Sequence, residues 1–266
     1  MSESHKTTSD NKTLIITGAS RGLGAAAARC ALELGANVVL SARSAGGLRA
    51  TAAQAGAEGE RTLVVPGDVS RAEDCQELVQ KAVARFGRLD AIVNNAGVIA
   101  PIAPLAAAEP EAWQRNIAVN LVGPFYLMHF ALPQLRPRRG RVVNVSSGAA
   151  VRPTPGWSAY CAAKAALNHL TAVLAEEEPD VVALALRPGV VDTEMQETIR
   201  EEGRSGMPRE RHQRFVRYHE TGQLLPPELP GRALATLALF APHAWSGAFL
   251  QWDEARVQAL VEAHDG

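Results

Sequence analysis

The chain has 266 residues, with 27 Lys and Arg against 28 Asp and Glu and a formal net charge of −1. That length suits one large α/β domain with a sizeable core, and the charge balance gives no electrostatic pull toward nucleic acid or an anionic membrane. Three scattered cysteines, Cys30, Cys75 and Cys161, cannot make a disulfide framework and lack metal-ligand spacing, which fits a reducing, cytoplasmic setting and no metal.

Residues 1–11 are polar, lack the apolar core of a signal peptide and are expected to form a disordered tail. No apolar run approaches the roughly 18 residues of a membrane helix. Residues 13–17 predict a first strand, followed by a glycine turn and a helix over 23–34 that Gly35 stops. Further strands are predicted at 37–41, 61–65, 89–93, 141–145 and 181–186, with a seventh at 247–251. They are apolar at nearly every position rather than alternating, the pattern of a parallel sheet covered on both faces. The best intervening helices span 111–136 and 157–177, and Pro133 should cut or kink the last turn of the former. The whole reads as α/β: a single-domain doubly wound Rossmann fold over 12–266, with a mostly parallel seven-stranded sheet flanked by helices. Residues 195–230, rich in Arg, Glu, Gly and Pro, follow the sixth strand. Ligands bind beyond the carboxyl ends of such strands, so this segment is placed to act as a substrate lid; a solvated surface excursion is the plain alternative.

Between the first strand and first helix lies Thr17-Gly18-Ala19-Ser20-Arg21-Gly22-Leu23-Gly24. Glycines let backbone approach a pyrophosphate, and the helix start offers free N–H groups and a positive dipole end. After the second strand comes Arg43, with no acid to hold a ribose 2′-hydroxyl. Arg43 and Arg21 suit a 2′-phosphate and therefore NADP over NAD; two solvated arginines are the alternative.

Tyr160 and Lys164 stand four apart at the start of the 157–177 helix and share a face. A free tyrosine titrates near 10, and a neighbouring ammonium stabilises tyrosinate and lowers that value. Such a pair suits proton donation to a carbonyl oxygen as hydride reaches its carbon.

Taken in order, these residues resemble the short-chain dehydrogenase/reductase family over roughly 13–193. Thr17 to Gly24 matches its cofactor turn, and Asp68-Val69 its adenine-contacting element. Asn94-Asn95-Ala96-Gly97 matches its N-N-A-G motif, with Asn94 read as satisfying loop backbone. Asn120 falls at its catalytic asparagine. Ser147, thirteen residues before Tyr160, falls at its catalytic serine, and Pro188, Gly189, Val191 and Thr193 lie in its nicotinamide-contacting motif. The resemblance implies an NADPH-dependent carbonyl reductase. Tyr160 is its proton donor, and Ser147 binds the carbonyl oxygen. Lys164 tunes Tyr160 and bonds the nicotinamide ribose, while Asn120 holds a relay water. It also implies a homodimer or homotetramer built on the helices around Asn120 and Tyr160, whose Phe125, Tyr126, Leu127, Phe130 and Leu167 suit either core or partner.

Residues 188–196 and 246–253 resemble the branch of sepiapterin reductases and benzil (diketone) reductases. Sepiapterin reductases place a pterin-anchoring acid where this chain has Gln251; Asp253, offset by two, would face the same side on a regular strand. A vicinal diketone or another hydrophobic carbonyl compound is therefore preferred over a pterin. An NADP-dependent alcohol dehydrogenase would use the same residues. A non-catalytic nucleotide sensor on this scaffold is the reading from another class, but it is expected to lack the Tyr, Lys or Ser present here.

Overall fold

The computed structural model describes residues 11–55 and 59–265. Residues 1–10 of the expected tail lie outside the described residues. Seven strands form one sheet in the order β3-β2-β1-β4-β5-β6-β7, every pair parallel. They are β1 (Thr13–Thr17), β2 (Asn37–Ala42), β3 (Thr62–Pro66), β4 (Ala91–Asn94), β5 (Arg141–Val145), β6 (Val182–Arg187) and β7 (Phe249–Gln251). The chain order reverses between β1 and β4, which opens a crevice at the carboxyl ends of the strands.

Both faces are covered, which is why the strands read as continuous apolar runs. One layer holds α1 (Gly22–Glu33), α2 (Ala45–Gln54), α9 (Glu228–Phe240) and α10 (Ala255–Glu262). The other holds α3 (Ala72–Phe86), α5 (Gly123–Leu135) and the end of α6 (Ser158–Glu177). The alanine run of α1 lets α9 come very close: a Cβ on Gly231 would sit 2.9 Å from the Ala26 Cβ. Leu127 and Leu167 are fully buried, while Phe125 is 47 % exposed, so of the apolar groups expected to face core or partner these two leucines lie in the core and Phe125 lies at the surface.

The helix expected over 111–136 is helical throughout but not uniform. It divides into α4 (Pro110–Ile117), a π-helical turn at Ala118–Val122, and α5. Such a bulge is a frequent mark of a functional site, and this one carries Asn120. Pro133 sits in the last turn of α5, after which the backbone tightens to a 3-10 turn at Arg136–Arg138. The 195–230 segment is mostly ordered as two helices, α7 (Glu194–Gly206) and α8 (Arg209–Glu220).

A buried amide ladder crosses the sheet. Asn94 donates to Asn144 Oδ1 at 2.8 Å, Asn144 donates to Thr171 Oγ1 at 2.9 Å, and Thr171 donates to Leu167 O at 2.7 Å. Asn94 is thus structural. Asn144→Ala strands a donor and an acceptor in a fully buried place, so it is expected to cost about 1–3 kcal/mol, read from the denaturant midpoint.

Candidate active site

A cavity of about 1040 Å³ occupies the crevice. Its floor is the turn after β1. Thr17 Oγ1 accepts from the backbone N–H of Asn95 at 3.0 Å and of Ala96 at 3.1 Å, and the Asn95 amide donates to Thr17 O at 2.9 Å. Asn95 therefore lines the cavity but spends its donors on bracing the turn. A side chain on Gly18 would strike Asn95 at 2.8 Å, and Gly18 also takes a φ of +65° that favours glycine. Ser20, Gly22, Leu23, Gly24, Val69, Ala96 and Gly97 share the lining.

Arg43 is exposed at the β2 end of the cavity. Arg21 lines it too but is ion-paired with Glu194 at the start of α7. That pair is solvent-exposed and weak, so an incoming phosphate can compete for it. Asp68 does two jobs. Its Oδ1 accepts from Ser70 N and Oγ at 3.0 and 2.7 Å, and it faces the cavity. Burial alone would push its carboxyl up, but the Ser70 hydrogen bonds and the cations Arg115 and Arg43 hold it below the usual carboxylate range.

At the other end stand Ser147, Tyr160 and Lys164, with Pro188, Gly189, Val191 and Thr193 beside them. Lys164 is buried, and its Nζ donates to Val145 O at 2.7 Å. Burial pulls its pKa down to about 8. Tyr160 is buried against the edge of Trp157, with ring centroids 5.9 Å apart. Its hydroxyl is pushed up to about 12 by burial, with a hydrogen bond from the Ser147 side chain pulling the other way. The four-residue spacing predicts a lowered tyrosine pKa; here desolvation wins, and the Lys164 ammonium is aimed at a carbonyl while standing 5.6 Å from the Tyr160 ring centre.

Asn120 alone among the expected site residues does not line the cavity. It is fully buried, and its Nδ2 donates to Val98 O at 2.8 Å and Asn116 Oδ1 at 2.8 Å. Its side-chain donors are thus spent on bracing the protein. Asn116, one turn earlier, donates to Ala100 O at 2.8 Å. The pair pins the 97–100 loop beneath Lys164. Sequence reading passes over Asn116, although its i, i+4 spacing from Asn120 is visible.

Helices α7 and α8 add side chains to the cavity wall. Met195, Gln196, Ile199 and Phe215 line the cavity, and the Phe215 ring packs 5.3 Å from Trp157. Trp157 Nε1 and Gln196 Oε1 are buried without a protein partner. Gln251 accepts from Arg187 Nη1 at 2.8 Å and borders a smaller, separate pocket together with Asp253. Strand β7 ends at Gln251, so Asp253 lies in the turn beyond and not on a regular strand.

Fold and site together define a doubly wound nucleotide-binding protein with a Tyr–Lys–Ser cluster at one end of its crevice. The chain belongs to the short-chain dehydrogenase/reductase family: the short chain dehydrogenase family model matches residues 12–204. It is 36 % identical over 258 residues to a benzil reductase ((S)-benzoin forming) of Saccharomyces cerevisiae, covering 92 % of this chain and 97 % of that one. An uncharacterized oxidoreductase of Schizosaccharomyces pombe is 38 % identical, with 91 % and 96 % covered. A solved short chain dehydrogenase/reductase from Saccharomyces cerevisiae superposes with a TM-score of 0.89 at 35 % identity, covering 94 % of this chain and 99 % of that one. The KRED1-Pglu enzyme superposes at 0.85 and 42 % identity, covering 90 % and 99 %. The chain is thus an oxidoreductase of a family that uses nicotinamide cofactors. The glycine turn, the cations at one end and the buried donors at the other fit such a dinucleotide. Among the described residues no helix is long and apolar enough to cross a membrane, and no cluster suits a metal ion.

Proposed function

We propose that the protein is an NADPH-dependent carbonyl reductase acting on a vicinal diketone such as benzil or on a related apolar carbonyl compound. The observation that carries this reading is the convergence of Ser147, Tyr160 and Lys164 on one end of a dinucleotide-sized cavity. Gly18 to Gly24 bind the pyrophosphate, Arg43 with Arg21 the 2′-phosphate, and Asp68 and Val69 the adenine. Ala96 and Gly97 flank the cofactor where Asn95 braces the turn, and Pro188 to Thr193 hold the nicotinamide. Bound there, the cofactor supplies hydride.

The protein's own groups manage the proton and the charge. Tyr160, kept protonated by burial, gives its proton to the carbonyl oxygen. Ser147 donates a hydrogen bond to that oxygen as charge grows on it. Lys164, held by Val145 O, stabilises the tyrosinate left behind, and Asn120 positions the loop under it. The same groups serve the reverse alcohol oxidation. The diketone preference rests on the likeness to the benzil reductase and on Gln251, a neutral amide tied to Arg187 outside the main cavity. The enzyme acts in the cytoplasm, and the exposed Phe125 face of α5 supports a homodimer or homotetramer.

The test is a panel of diketones, simple ketones and pterins assayed with NADPH and NADH. Consumption of NADPH with diketones supports the reading, and reduction of pterins alone overturns the substrate class. The pH profile gives a second check. The Lys164 proton is lost as pH rises through about 8. The kcat/KM for reduction is therefore expected to be flat below that pH and to fall about tenfold per unit above it, while oxidation rises. A reduction rate that climbs through this range contradicts the role given to Lys164.

A further inference from the structure

The whole chain is neutral, but the cavity is not. Its lining holds seven arginines and Lys164 against Asp68, Asp192 and Glu194. Four of those arginines are accounted for. Arg21 pairs with Glu194, Arg115 lies 3.8 Å from Asp68, Arg187 bonds Gln251, and Arg43 stands at the 2′-phosphate end. The other three are Arg211 and Arg214 of α8, whose Phe215 packs on Trp157, and Arg152, which follows the Ser147 turn. None of them forms an ion pair with a carboxylate among the described residues.

Their placement is specific. Arg211, Arg214, Phe215 and Tyr218 follow the i, i+3, i+4, i+7 spacing of one helix face, and all four line the cavity. Arg214 Nε donates to Tyr218 Oη at 2.6 Å, which fixes its guanidinium beside the ring. Phe215 packs between Trp157 and Tyr218, and Trp157 meets the Tyr160 ring. Arg152 follows the Ser147 turn and lines the same cavity. A row of packed aromatic rings thus runs from Tyr218 to Tyr160 along a cavity that the three cations also line.

We propose that this mouth selects carbonyl substrates that join an aromatic or apolar body to an anionic group, which Arg152, Arg211 and Arg214 hold. The inference rests on the reductase reading and refines its substrate class. Guanidinium groups bind carboxylates with paired, charge-assisted hydrogen bonds, and a mouth lined by one sign of charge concentrates the opposite sign.

The test compares phenylglyoxylate with its methyl ester, ketones of the same body that differ in charge, using holoenzyme with NADPH. At low salt the acid is expected to have the higher kcat/KM, and added KCl lowers the value for the acid alone. In R152Q/R211Q/R214Q the acid-to-ester ratio of kcat/KM falls about tenfold. R152K/R211K/R214K, which keeps the charges, retains most of the ratio. A wild type that prefers the ester, or a ratio the glutamine variant does not move, overturns the proposal. Should neither ketone be reduced, consumption of NADPH with benzil decides the reductase reading by itself, and the charge inference is read from quenching of tryptophan fluorescence. Salt-sensitive quenching by the acid alone supports the inference, and equal quenching by acid and ester overturns it.

Discussion

Tyr160→Phe is expected to lower kcat for ketone reduction by about 10²–10⁴-fold, the usual worth of a positioned proton donor, while leaving NADPH binding close to that of the wild type. The substitution removes one oxygen and keeps the ring. Packing against Trp157 is therefore retained, and the fold loses only the hydrogen bond with Ser147, worth about 0.5–1.5 kcal/mol. A fall in activity with an intact melting transition and unchanged cofactor titration separates chemistry from folding. Full activity in this variant contradicts the assignment of the proton to Tyr160. The high tyrosine pKa gives the prediction its sense. A hydroxyl held at about 12 is a reservoir that stays protonated across the neutral range, which suits reduction, where a proton is given and not taken.

Arg43→Ala is expected to lower kcat/KM for NADPH by about 10–100-fold and to change the NADH value little. A charge-assisted hydrogen bond to a phosphate is worth about 1.5–3 kcal/mol, and each 1.4 kcal/mol is about tenfold. Arg43 is exposed at the end of β2 and has no carboxylate ion pair among the described residues, so its charge is available to the cofactor. Arg21→Ala should cost less, because Arg21 is shared with Glu194. A wild type that prefers NADH would sink the 2′-phosphate argument whatever the variants do.

The sheet was the most legible part of the molecule. Strands buried on both faces must be apolar throughout, so β1, β2, β4, β5 and β6 announce themselves, and β5 at Arg141–Val145 falls on the expected residues. The helices were less visible. Helix α2 opens on Ala45-Gly-Gly, which reads as a turn, and α8 is so rich in Arg, Glu and His that it shows no clear apolar stripe. The π-turn at Ala118–Val122 leaves no pattern of its own in the sequence, and neither do the bonds that Asn116 and Asn120 make to backbone of the 98–100 loop, which only the fold brings against them. The candidate site residues were readable as short strings on predicted strand ends. What their side chains face was not. Asn95 and Asn120 turn toward the protein, and Tyr160 is raised rather than lowered in pKa because burial outweighs the hydrogen bond from Ser147. The packing of Trp157 on Phe215 was equally hidden, since only folding of the 195–230 segment brings the two rings together.

The central claim, a reductase that takes hydride from NADPH to a diketone, is tested most directly by incubating the protein with NADPH and benzil and following reduced nicotinamide and product together. Loss of one NADPH for each benzoin formed, abolished in Tyr160→Phe, is the predicted result. Tight NADPH binding with no consumption of cofactor across benzil and other vicinal diketones would contradict it.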